Sequence, residues 1–321
     1  MLSSKMILAT RKFPAPVEDR LRCDYQAILN PEDRLYGQEE LLAAARGMDA
    51  LFACATERFD AEMIRRLDES VKMIGMLSVG TDHIALDAAR ERGLVITNTP
   101  DVLSEACADI AMLLLLAAAR RAGEANRLDR GGGWRGWAPT QLLGREVFGR
   151  RLGILGMGRI GRALARQAKG FSLEIHYHNR TRLAPALEDG AIYHPKAEDS
   201  LRVTDFSSLN CPSTDATREI LNAARIDLLP RDAVVINTSR GDLIVDDALI
   251  AALTEGRIFA AGLDVFAGEP TLDPRYRNLD NVFLTPHYGS VTHATRNAMG
   301  FLVLDSFDAF FAGETVPHRV V

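Results

Sequence analysis

Three residues suited to acid–base chemistry or anion binding each follow a short apolar run in the second half of the chain. They are Arg240, Glu269 and His287. An arginine can clamp a carboxylate through two parallel hydrogen bonds. A histidine paired with a glutamate is expected to have a raised pKa and a fixed tautomer, which suits a proton donor near neutral pH. Each residue alone also fits a structural role, as a strand-end histidine, a surface glutamate or a loop-capping arginine.

A glycine pattern precedes these residues in the segment LGILGMGRIGRALARQA, where Gly156, Gly158 and Gly161 have the spacing G-x-G-x-x-G. In a strand–turn–helix context, the first glycine permits a tight turn, the second lets the backbone approach a pyrophosphate, and the third lets helix and strand pack closely. The amide groups at the helix N-terminus then attract the phosphates. The pattern and its flanks predict dinucleotide binding rather than a merely structural turn.

The residues that follow the next predicted strand bear on the choice of cofactor. Asn179 lies 18 residues after Gly161, where an NAD site usually carries a carboxylate for the ribose 2′-hydroxyl. The carboxylate is absent here, and Arg180, Thr181 and Arg182 follow directly. Guanidinium groups can bind a 2′-phosphate that a carboxylate would repel. The segment therefore favours NADP(H) over NAD(H), although both arginines would also fit ordinary solvated loop positions.

Short runs of strand-forming residues alternate with helix-like stretches along the chain. This alternation indicates an α/β fold with parallel sheets, which would position these residues. At 321 residues the chain is long enough for two domains. Helices are predicted over about 104–121 and 292–311. The predicted strands are Lys5–Ala9, Ala50–Cys54, Lys72–Leu77, Leu94–Thr97, Arg151–Leu155, Leu173–Tyr177, Ala233–Asn237, Phe259–Asp264 and Val282–Leu284.

Composition excludes several classes of protein. With 38 basic and 43 acidic side chains, the chain carries a net charge of −5, which argues against a nucleic-acid partner. The four cysteines are widely spaced, which predicts buried, reduced thiols and neither disulfides nor a metal site. The apolar run Ile110–Ala119 is too short to span a membrane, and the N-terminus lacks the apolar core of a signal peptide. We therefore expect a soluble, cytoplasmic protein.

Residues 122–149 are rich in glycine and hold both tryptophans of the chain, Trp134 and Trp137. Long loops without regular structure are uncommon in compact domains, so this segment needs a purpose. One interpretation is a linker whose tryptophans bury against their own domain. The other is an arm that packs on a second subunit or closes over a ligand.

Taken together, the motifs resemble those of the D-isomer-specific 2-hydroxyacid dehydrogenases, and the match runs over nearly the whole chain. The resemblance is closest to the glyoxylate/hydroxypyruvate reductase branch. It implies two doubly wound, Rossmann-like or flavodoxin-like parallel-sheet domains. Residues 101–289 would form the NAD(P)-binding domain, with a dimerisation arm at 122–149, inserted into a substrate-binding domain of residues 1–100 and 290–321. The motifs that carry the resemblance are SVGTDHI (78–84), GILGMGRIG (153–161), INTSRG (236–241), DVFAGEP (264–270) and TPHYGS (285–290).

The resemblance also implies a role for each matching residue. His287 would be the general acid–base with Glu269 as its orienting partner, and Arg240 would bind the substrate carboxylate. The remaining substrate contacts would come from the Val79 and Gly80 amides, Ser290, and Trp137 reaching the partner's site in a homodimer. Asp264 would face the nicotinamide carboxamide. The cofactor would be bound by Gly156, Gly158, Arg159, Ile160, Gly161, Asn179, Arg180, Thr181, Arg182, Cys211, Pro212, Thr217, Thr238, Ser239, Asp264, His287 and Gly289.

The reaction implied is NADPH-dependent reduction of a small 2-oxo acid, such as glyoxylate or hydroxypyruvate, to the 2-hydroxy acid. One alternative is an NAD(P)-dependent dehydrogenase acting on another 2-hydroxy acid or on phosphite, with all of these motifs shared. Another is a non-catalytic dinucleotide sensor like the family's corepressor relatives, which would tolerate loss of the acid–base pair. The pair is intact here, which favours the enzyme.

Overall fold

The computed structural model describes residues 4–321, and the chain divides into two compact units. The first unit combines residues 4–103 with 290–321, and the second contains residues 104–289. The first unit is therefore built from both ends of the chain, with the second inserted between them.

Strands and helices alternate along both units. The strands are β1 (Met6–Ala9), β2 (Gln26–Ile28), β3 (Ala50–Cys54), β4 (Met73–Leu77), β5 (Val95–Thr97), β6 (Arg151–Leu155), β7 (Glu174–His178), β8 (Ile192–Tyr193), β9 (Phe206–Leu209), β10 (Val234–Asn237), β11 (Ala260–Leu263) and β12 (Val282–Leu284). The α-helices are α1 (Ala15–Asp24), α2 (Gln38–Ala44), α3 (Ala61–Arg66), α4 (Leu86–Arg92), α5 (Ser104–Ala119), α6 (Ala122–Arg130), α7 (Arg159–Ala168), α8 (Pro185–Glu188), α9 (Ala197–Val203), α10 (Ala223–Ile226), α11 (Asp246–Thr254) and α12 (His293–Ala312).

In the described part of the first unit, one parallel sheet has the strand order β2-β1-β3-β4-β5. The last helix, α12, packs on strand β4 at Gly75. A Cβ at Gly75 would lie 2.4 Å from Cγ1 of Val303 and 2.9 Å from Cζ of Phe307, so the helix can approach the strand only at a glycine. The C-terminal segment then pairs with β5 through Thr97 and Arg319. Both ends of the chain thus share one core.

In the second unit the described strands form one parallel sheet in the order β12-β11-β10-β9-β6-β7-β8. Alternate residues of β10 face different cores, because Val234 and Ile236 belong to one buried cluster and Val235 to the other. Helix α5 lies against β11, where Leu114 packs on Gly262. A sheet covered on both faces is the arrangement that doubly wound domains require.

The predicted α/β fold is confirmed, and the predicted strands agree with the structure to within a residue at each end. The prediction omitted β2, β8 and β9. Strand β9 was missed because Ser207 and Ser208 make it read as polar, yet both are buried. The hydroxyl of Ser207 lies 3.1 Å from that of Thr204, and the hydroxyl of Ser208 donates to Asn210 Oδ1 at 2.8 Å. Internal hydrogen bonds therefore satisfy these serines inside the sheet.

The glycine-rich segment 122–149 was predicted to lack regular structure, and this is wrong for the start of the segment. Its first nine residues form helix α6, and the rest lacks helix or strand. The interpretation in which both tryptophans bury against their own domain is wrong for the chain as described, since Trp134 is 56% exposed and Trp137 is 82% exposed.

The cysteines were predicted to be buried, and this is wrong for one of them. All four are free, but Cys23 is exposed and Cys54 half-buried, while Cys107 and Cys211 are buried. Among the helices of residues 4–321, none is long and apolar enough to cross a membrane. Within the same residues, no group of three or more His, Cys, Asp or Glu side chains is placed to hold a metal ion.

A histidine pair at the β7–β8 edge predicts an acid-sensitive fold. His194 Nε2 lies 2.9 Å from His176 Nδ1, and burial, followed by the charge of His176, lowers the pKa of His194 below its usual 6.5. Just below pH 6.5, His194 is therefore protonated in the unfolded chain but stays neutral in the folded chain. The free energy of unfolding consequently decreases as the pH falls below 6.5. We expect the urea midpoint to decrease from pH 7.5 to 5.5 in the wild type and to decrease less in His194→Gln. Exposed His293→Gln is the control, and an equally steep decrease in His194→Gln would contradict the assignment.

Candidate active site

The glycine-rich turn follows β6 and depends on Gly156. This residue has φ of +102°, in the region that favours glycine. A Cβ at Gly156 would also lie 2.4 Å from the backbone nitrogen of Cys211, so the turn packs directly on the loop after β9. The amide of Gly156 donates to the carbonyl of His178 at 3.0 Å, which ties the turn to the end of β7.

The two later glycines shape the start of α7 in different ways. A Cβ on Gly161 would lie 2.4 Å from the carbonyl oxygen of Gly156, so helix and turn approach each other only because Gly161 has no side chain. Gly158 directly precedes the helix, and no atom would lie within 4 Å of a Cβ at this position. Arg159 is exposed and Ile160 is half-buried on the first turn of the helix. An open glycine at a helix N-terminus is a cradle into which a phosphate fits.

The loops after β9 and β10 meet beside this turn. Ser239 Oγ donates to the carbonyl of Cys211 at 2.5 Å, and Thr217 Oγ1 donates to the carbonyl of Pro212 at 2.6 Å. Burial raises the pKa of the Cys211 thiol to about 11, so the thiol is neutral at physiological pH. Cys211 therefore brings no charge to the site. The sheet order reverses between β6 and β9, and ligands of doubly wound sheets bind at that point.

Two buried polar atoms at these strand ends lack a hydrogen-bond partner within the described part of the chain. They are Thr238 Oγ1, directly after β10, and Asn210 Nδ2, directly after β9. Buried polar groups without a protein partner are uncommon and costly. Together with the open position at Gly158, they indicate that a polar ligand completes this region, and a dinucleotide fits that description.

The loop after β7 contains the residues predicted to distinguish NADP from NAD. The amide of Met157 donates to Asn179 Oδ1 at 2.6 Å, so Asn179 holds the glycine-rich turn. Arg180 and Thr181 are exposed. Arg182 forms a two-pronged ion pair with Glu188, its Nε lying 2.8 Å from Oε1 and its Nη2 lying 3.0 Å from Oε2. The two arginines therefore have different environments, which the sequence pattern did not reveal.

His287 and Glu269 form a hydrogen-bonded pair, with 2.6 Å between Nδ1 and Oε2. The other oxygen of Glu269 accepts a hydrogen bond from the amide of Phe266 at 2.8 Å. Burial acts to raise the pKa of Glu269, but the hydrogen bond from His287 and the nearby charges, including Arg240, hold that pKa below its usual value. The carboxylate is therefore ionised at neutral pH, so Nδ1 of His287 is the donor and Nε2 is left to exchange a proton with a ligand.

Asp264 anchors the loop that carries His287. Its carboxylate is buried and accepts from the hydroxyl of Thr285 at 2.7 Å and from the amides of Tyr288 and Gly289 at 3.0 Å each. His287 sits within this loop at φ of +51°, a left-handed conformation that is unfavourable for a residue other than glycine. The three hydrogen bonds to Asp264 stabilise that conformation.

Arg240 follows β10 in a turn organised by Asn237. Asn237 Nδ2 donates to the carbonyl of Arg240 at 2.8 Å, and the amide of Ser239 donates to Asn237 Oδ1 at 3.0 Å. The next residue, Gly241, touches the loop that leads to Glu269, since a Cβ there would lie 1.9 Å from the carbonyl carbon of Phe266. The structure therefore brings Arg240, Glu269 and His287 together at the carboxyl ends of three adjacent strands.

The remaining predicted substrate contacts lie elsewhere in the chain. Val79 and Gly80 follow β4 in the first unit, where their carbonyls accept hydrogen bonds from Asn98 Nδ2 and Ser78 Oγ, at 2.9 Å each. Ser290 also belongs to the first unit, and its carbonyl accepts from the amide of Thr292 at 2.9 Å. Trp137 lies in the second unit and is largely exposed. Their contacts with substrate stay predictions.

Sequence reasoning missed the residues that support the site. Asn237 and Gly241 were present in the INTSRG motif, but only the close backbone approach reveals why they are needed. Asp264 was expected to face the nicotinamide carboxamide, which stays a prediction, and the sequence did not reveal that its oxygens also accept hydrogen bonds from the His287 loop. The role of Glu188 could not be predicted from the sequence. Its spacing from Arg182 is the same for a buried ion pair as for a solvent-exposed one.

Known proteins are similar to this chain over nearly its whole length. The family model "D-isomer specific 2-hydroxyacid dehydrogenase, NAD binding domain" matches residues 112–289. Glycerate dehydrogenase of Hyphomicrobium methylovorum is 41% identical over 321 residues, covering 99% of this chain and 100% of that protein. Glyoxylate reductase of Thermococcus onnurineus is 41% identical over 320 residues, covering 98% of this chain and 95% of that protein.

A solved structure is similar in fold as well. It is the NADPH-dependent glyoxylate/hydroxypyruvate reductase of Sinorhizobium meliloti in complex with NADP and malonate, with a TM-score of 0.88 and 32% identity over 99% of this chain and 97% of that one. The chain belongs to the D-isomer-specific 2-hydroxyacid dehydrogenase family, whose members are nicotinamide-dependent oxidoreductases.

Proposed function

We propose that this protein is an NADPH-dependent reductase of small 2-oxo acids such as glyoxylate and hydroxypyruvate. The observation that carries the proposal is the 2.6 Å pair of His287 and Glu269, with Arg240 on the neighbouring loop, beyond the same sheet edge as the glycine-rich turn. Names of relatives support the substrate class, since they include glyoxylate reductases and a glycerate dehydrogenase. The second unit is the nucleotide-binding domain of this proposal and the first is the substrate-binding domain.

Each of the three side chains has a defined task. Reduction adds a hydride to the carbonyl carbon and a proton to the carbonyl oxygen, and a reduced nicotinamide supplies the hydride when bound. His287 delivers the proton from Nε2 while its Nδ1 stays bonded to Glu269. The Glu269 carboxylate stabilises the charged imidazole before transfer and keeps the ring oriented. Arg240 clamps the substrate carboxylate through two hydrogen bonds and so aligns the carbonyl with His287.

The preference for NADPH rests on the loop after β7. A carboxylate is missing at position 179, where Asn179 instead accepts from the amide of Met157. Arg180 and Thr181 project from the exposed part of the same loop and offer a cation and a hydroxyl to a 2′-phosphate. The similar reductase of Sinorhizobium meliloti was solved with NADP, which supports the same cofactor for this chain.

The direct test is nicotinamide absorbance with purified protein. Glyoxylate, hydroxypyruvate, a bulkier 2-oxo acid and phosphite are each offered with the appropriate cofactor, and NADPH is compared with NADH at equal concentration. We expect fast oxidation of NADPH with the two small 2-oxo acids and a kcat/KM at least about tenfold lower with NADH, since one charge-assisted contact contributes 1.5–3 kcal/mol. Equal rates with both cofactors would refute the NADPH preference alone. Turnover confined to phosphite, or absent throughout, would refute the reductase.

We further propose that the protein acts as a homodimer through residues 131–149 and helix α5. Support comes from five large apolar side chains that are exposed in this part of the chain, since exposed apolar surface is typical of protein–protein interfaces. We expect the wild type to sediment as a dimer. Trp137→Ala should remain dimeric but have a higher KM for glyoxylate, because Trp137 is predicted to reach the active site of the partner subunit. A monomer at micromolar concentration would overturn the proposal. The exposed residues are Leu113, Trp134, Trp137, Leu143 and Phe148.

A further inference from the structure

The two arginines after β7 differ in whether their charge is already compensated. Both oxygens of Glu188 face the guanidinium of Arg182, at 2.8 and 3.0 Å. Glu188 also accepts a 2.5 Å hydrogen bond from the hydroxyl of Tyr177. Arg180, two residues earlier, has neither a hydrogen bond nor an ion pair recorded among residues 4–321, and its side chain is exposed. Arg182 is therefore held by its own protein, whereas Arg180 is available to a ligand.

The clamp around Glu188 joins the end of the loop to the strand that precedes it. Tyr177 is fully buried in β7, and its hydroxyl oxygen accepts a hydrogen bond from the amide of Leu183 at 3.1 Å. The guanidinium of Arg182 also lies over the ring of Tyr193 in β8, 5.6 Å from its centre. These contacts fix the stretch between Asn179 and Leu183 from one side, which leaves Arg180 and Thr181 at the exposed bend.

Glu188 keeps this arrangement over the whole working range of pH. The hydrogen bonds from Arg182 and Tyr177 lower its pKa to about 2. The carboxylate is therefore ionised wherever the enzyme is folded and active, and Arg182 faces a full negative charge. An arginine whose two-pronged face is occupied by a carboxylate cannot present that face to a phosphate without breaking the pair.

We propose that Glu188 is a specificity-determining residue, which restrains Arg182 as a positioning residue and leaves Arg180 as the arginine that binds the 2′-phosphate of NADPH. This inference rests on the proposed NADPH preference and assigns its parts. Because the carboxylate also contributes negative charge near the loop, Glu188 limits how strongly NADPH is preferred. Removing that charge while keeping the side-chain shape should increase the preference.

Three substitutions distinguish the assignments when dissociation constants for NADPH and NADH are measured by calorimetry. Arg180→Gln should weaken NADPH binding about 10–100-fold and change NADH binding less than about twofold, as expected for a lost charge-assisted contact. Arg182→Gln should weaken the binding of both cofactors, because it loosens the loop, and should reduce the preference for NADPH far less than Arg180→Gln does, because only the uncovered charge of Glu188 then acts on the phosphate. Glu188→Gln should raise the preference for NADPH about three- to tenfold, because it releases the charge of Arg182.

The controls separate a positioning role from general instability. Glu39→Gln removes a carboxylate from an exposed pair with Arg66 in the first unit and should leave both constants unchanged. Tyr177→Phe removes one hydrogen bond to Glu188 without altering charge and should weaken both cofactors equally. The comparison is repeated with 2′,5′-ADP and 5′-AMP, which lack the nicotinamide. Thermal unfolding of each variant verifies that it is folded.

Two outcomes would overturn the inference. One is a loss of NADPH preference in Arg182→Gln as large as in Arg180→Gln, which would make Arg182 a phosphate ligand. The other is an unchanged or reduced preference in Glu188→Gln. A wild type that binds 2′,5′-ADP no better than 5′-AMP would instead refute the NADPH preference itself. In that case the positioning role stands only if Arg182→Gln still weakens the binding of both NADPH and NADH while Arg180→Gln affects neither.

Discussion

Replacing His287 with glutamine should lower kcat for glyoxylate reduction about 1,000-fold, within the range that general acid catalysis contributes. Glutamine retains a polar side chain but cannot transfer a proton near neutral pH. Since most of the proposed dinucleotide contacts lie on other loops, the dissociation constant for NADPH should change less than about threefold. Steady-state kinetics and cofactor titration on the same preparation measure the two quantities separately.

Substitutions of the other site residues should have effects that differ from those of His287→Gln. Arg240→Gln should raise KM as well as lower kcat, because it removes the clamp on the substrate carboxylate. Glu269→Gln should lower kcat less than His287→Gln does, since the imidazole remains but loses its ionised partner at 2.6 Å. His293→Gln, an exposed histidine on α12, is the matched control and should be fully active. Turnover near the wild-type rate in His287→Gln would exclude the proposed proton transfer.

Gly241→Ala is expected to damage the site without touching a catalytic side chain. Its new Cβ would lie 1.9 Å from the carbonyl carbon of Phe266 and 2.1 Å from the nitrogen of Ala267, and both atoms are backbone. No rotamer change can relieve such contacts, so the loop of Arg240 must separate from the loop of Glu269. We expect kcat/KM to fall at least about 100-fold, because small displacements of positioning groups cost that much. The free energy of unfolding should fall by about 3 kcal/mol, as for an overpacked core position.

The matched control for this substitution is Gly170→Ala, because a Cβ at Gly170 meets no atom within 4 Å. That variant should equal the wild type in both urea unfolding and kcat/KM. If Gly241→Ala were as stable and as active as Gly170→Ala, the close approach of the two loops would not be what positions Arg240 beside Glu269.

The parts of the fold that could be predicted are those with a strong local pattern. Strand β6 and the glycines after it combine a continuous apolar run with residues that have one conformational explanation. The strands before Arg240 and Glu269 are buried along their whole length, the strand before His287 is apolar and partly buried, and all three show the same continuous apolar pattern. Strand β9 could not be predicted in that manner, because its serines read as polar, and the sequence pattern does not show that hydrogen bonds to Thr204 and Asn210 satisfy them in a buried position.

In the candidate site, too, only the residues with a clear local pattern could be predicted. His287 and Glu269 could be paired in advance because their residue types suggest one chemistry and both follow strands. The supporting contacts could not. The need for glycine at position 241 depends on a backbone 25 residues further along the chain, at Phe266. Whether Arg182 or Arg180 is available depends on a carboxylate whose burial is decided by the packing of Tyr177.

The placement of α12 on β4 also sets an order of events during synthesis. Residues 4–103 are translated before the inserted unit, yet the helix that covers Gly75 is translated after it. At about 5–20 residues per second, the intervening residues take roughly 10–40 s to appear. For that interval the first sheet displays an apolar face that nothing in the nascent chain yet covers. The inserted unit can complete its own core first, so chaperone dependence should concentrate on the N-terminal segment.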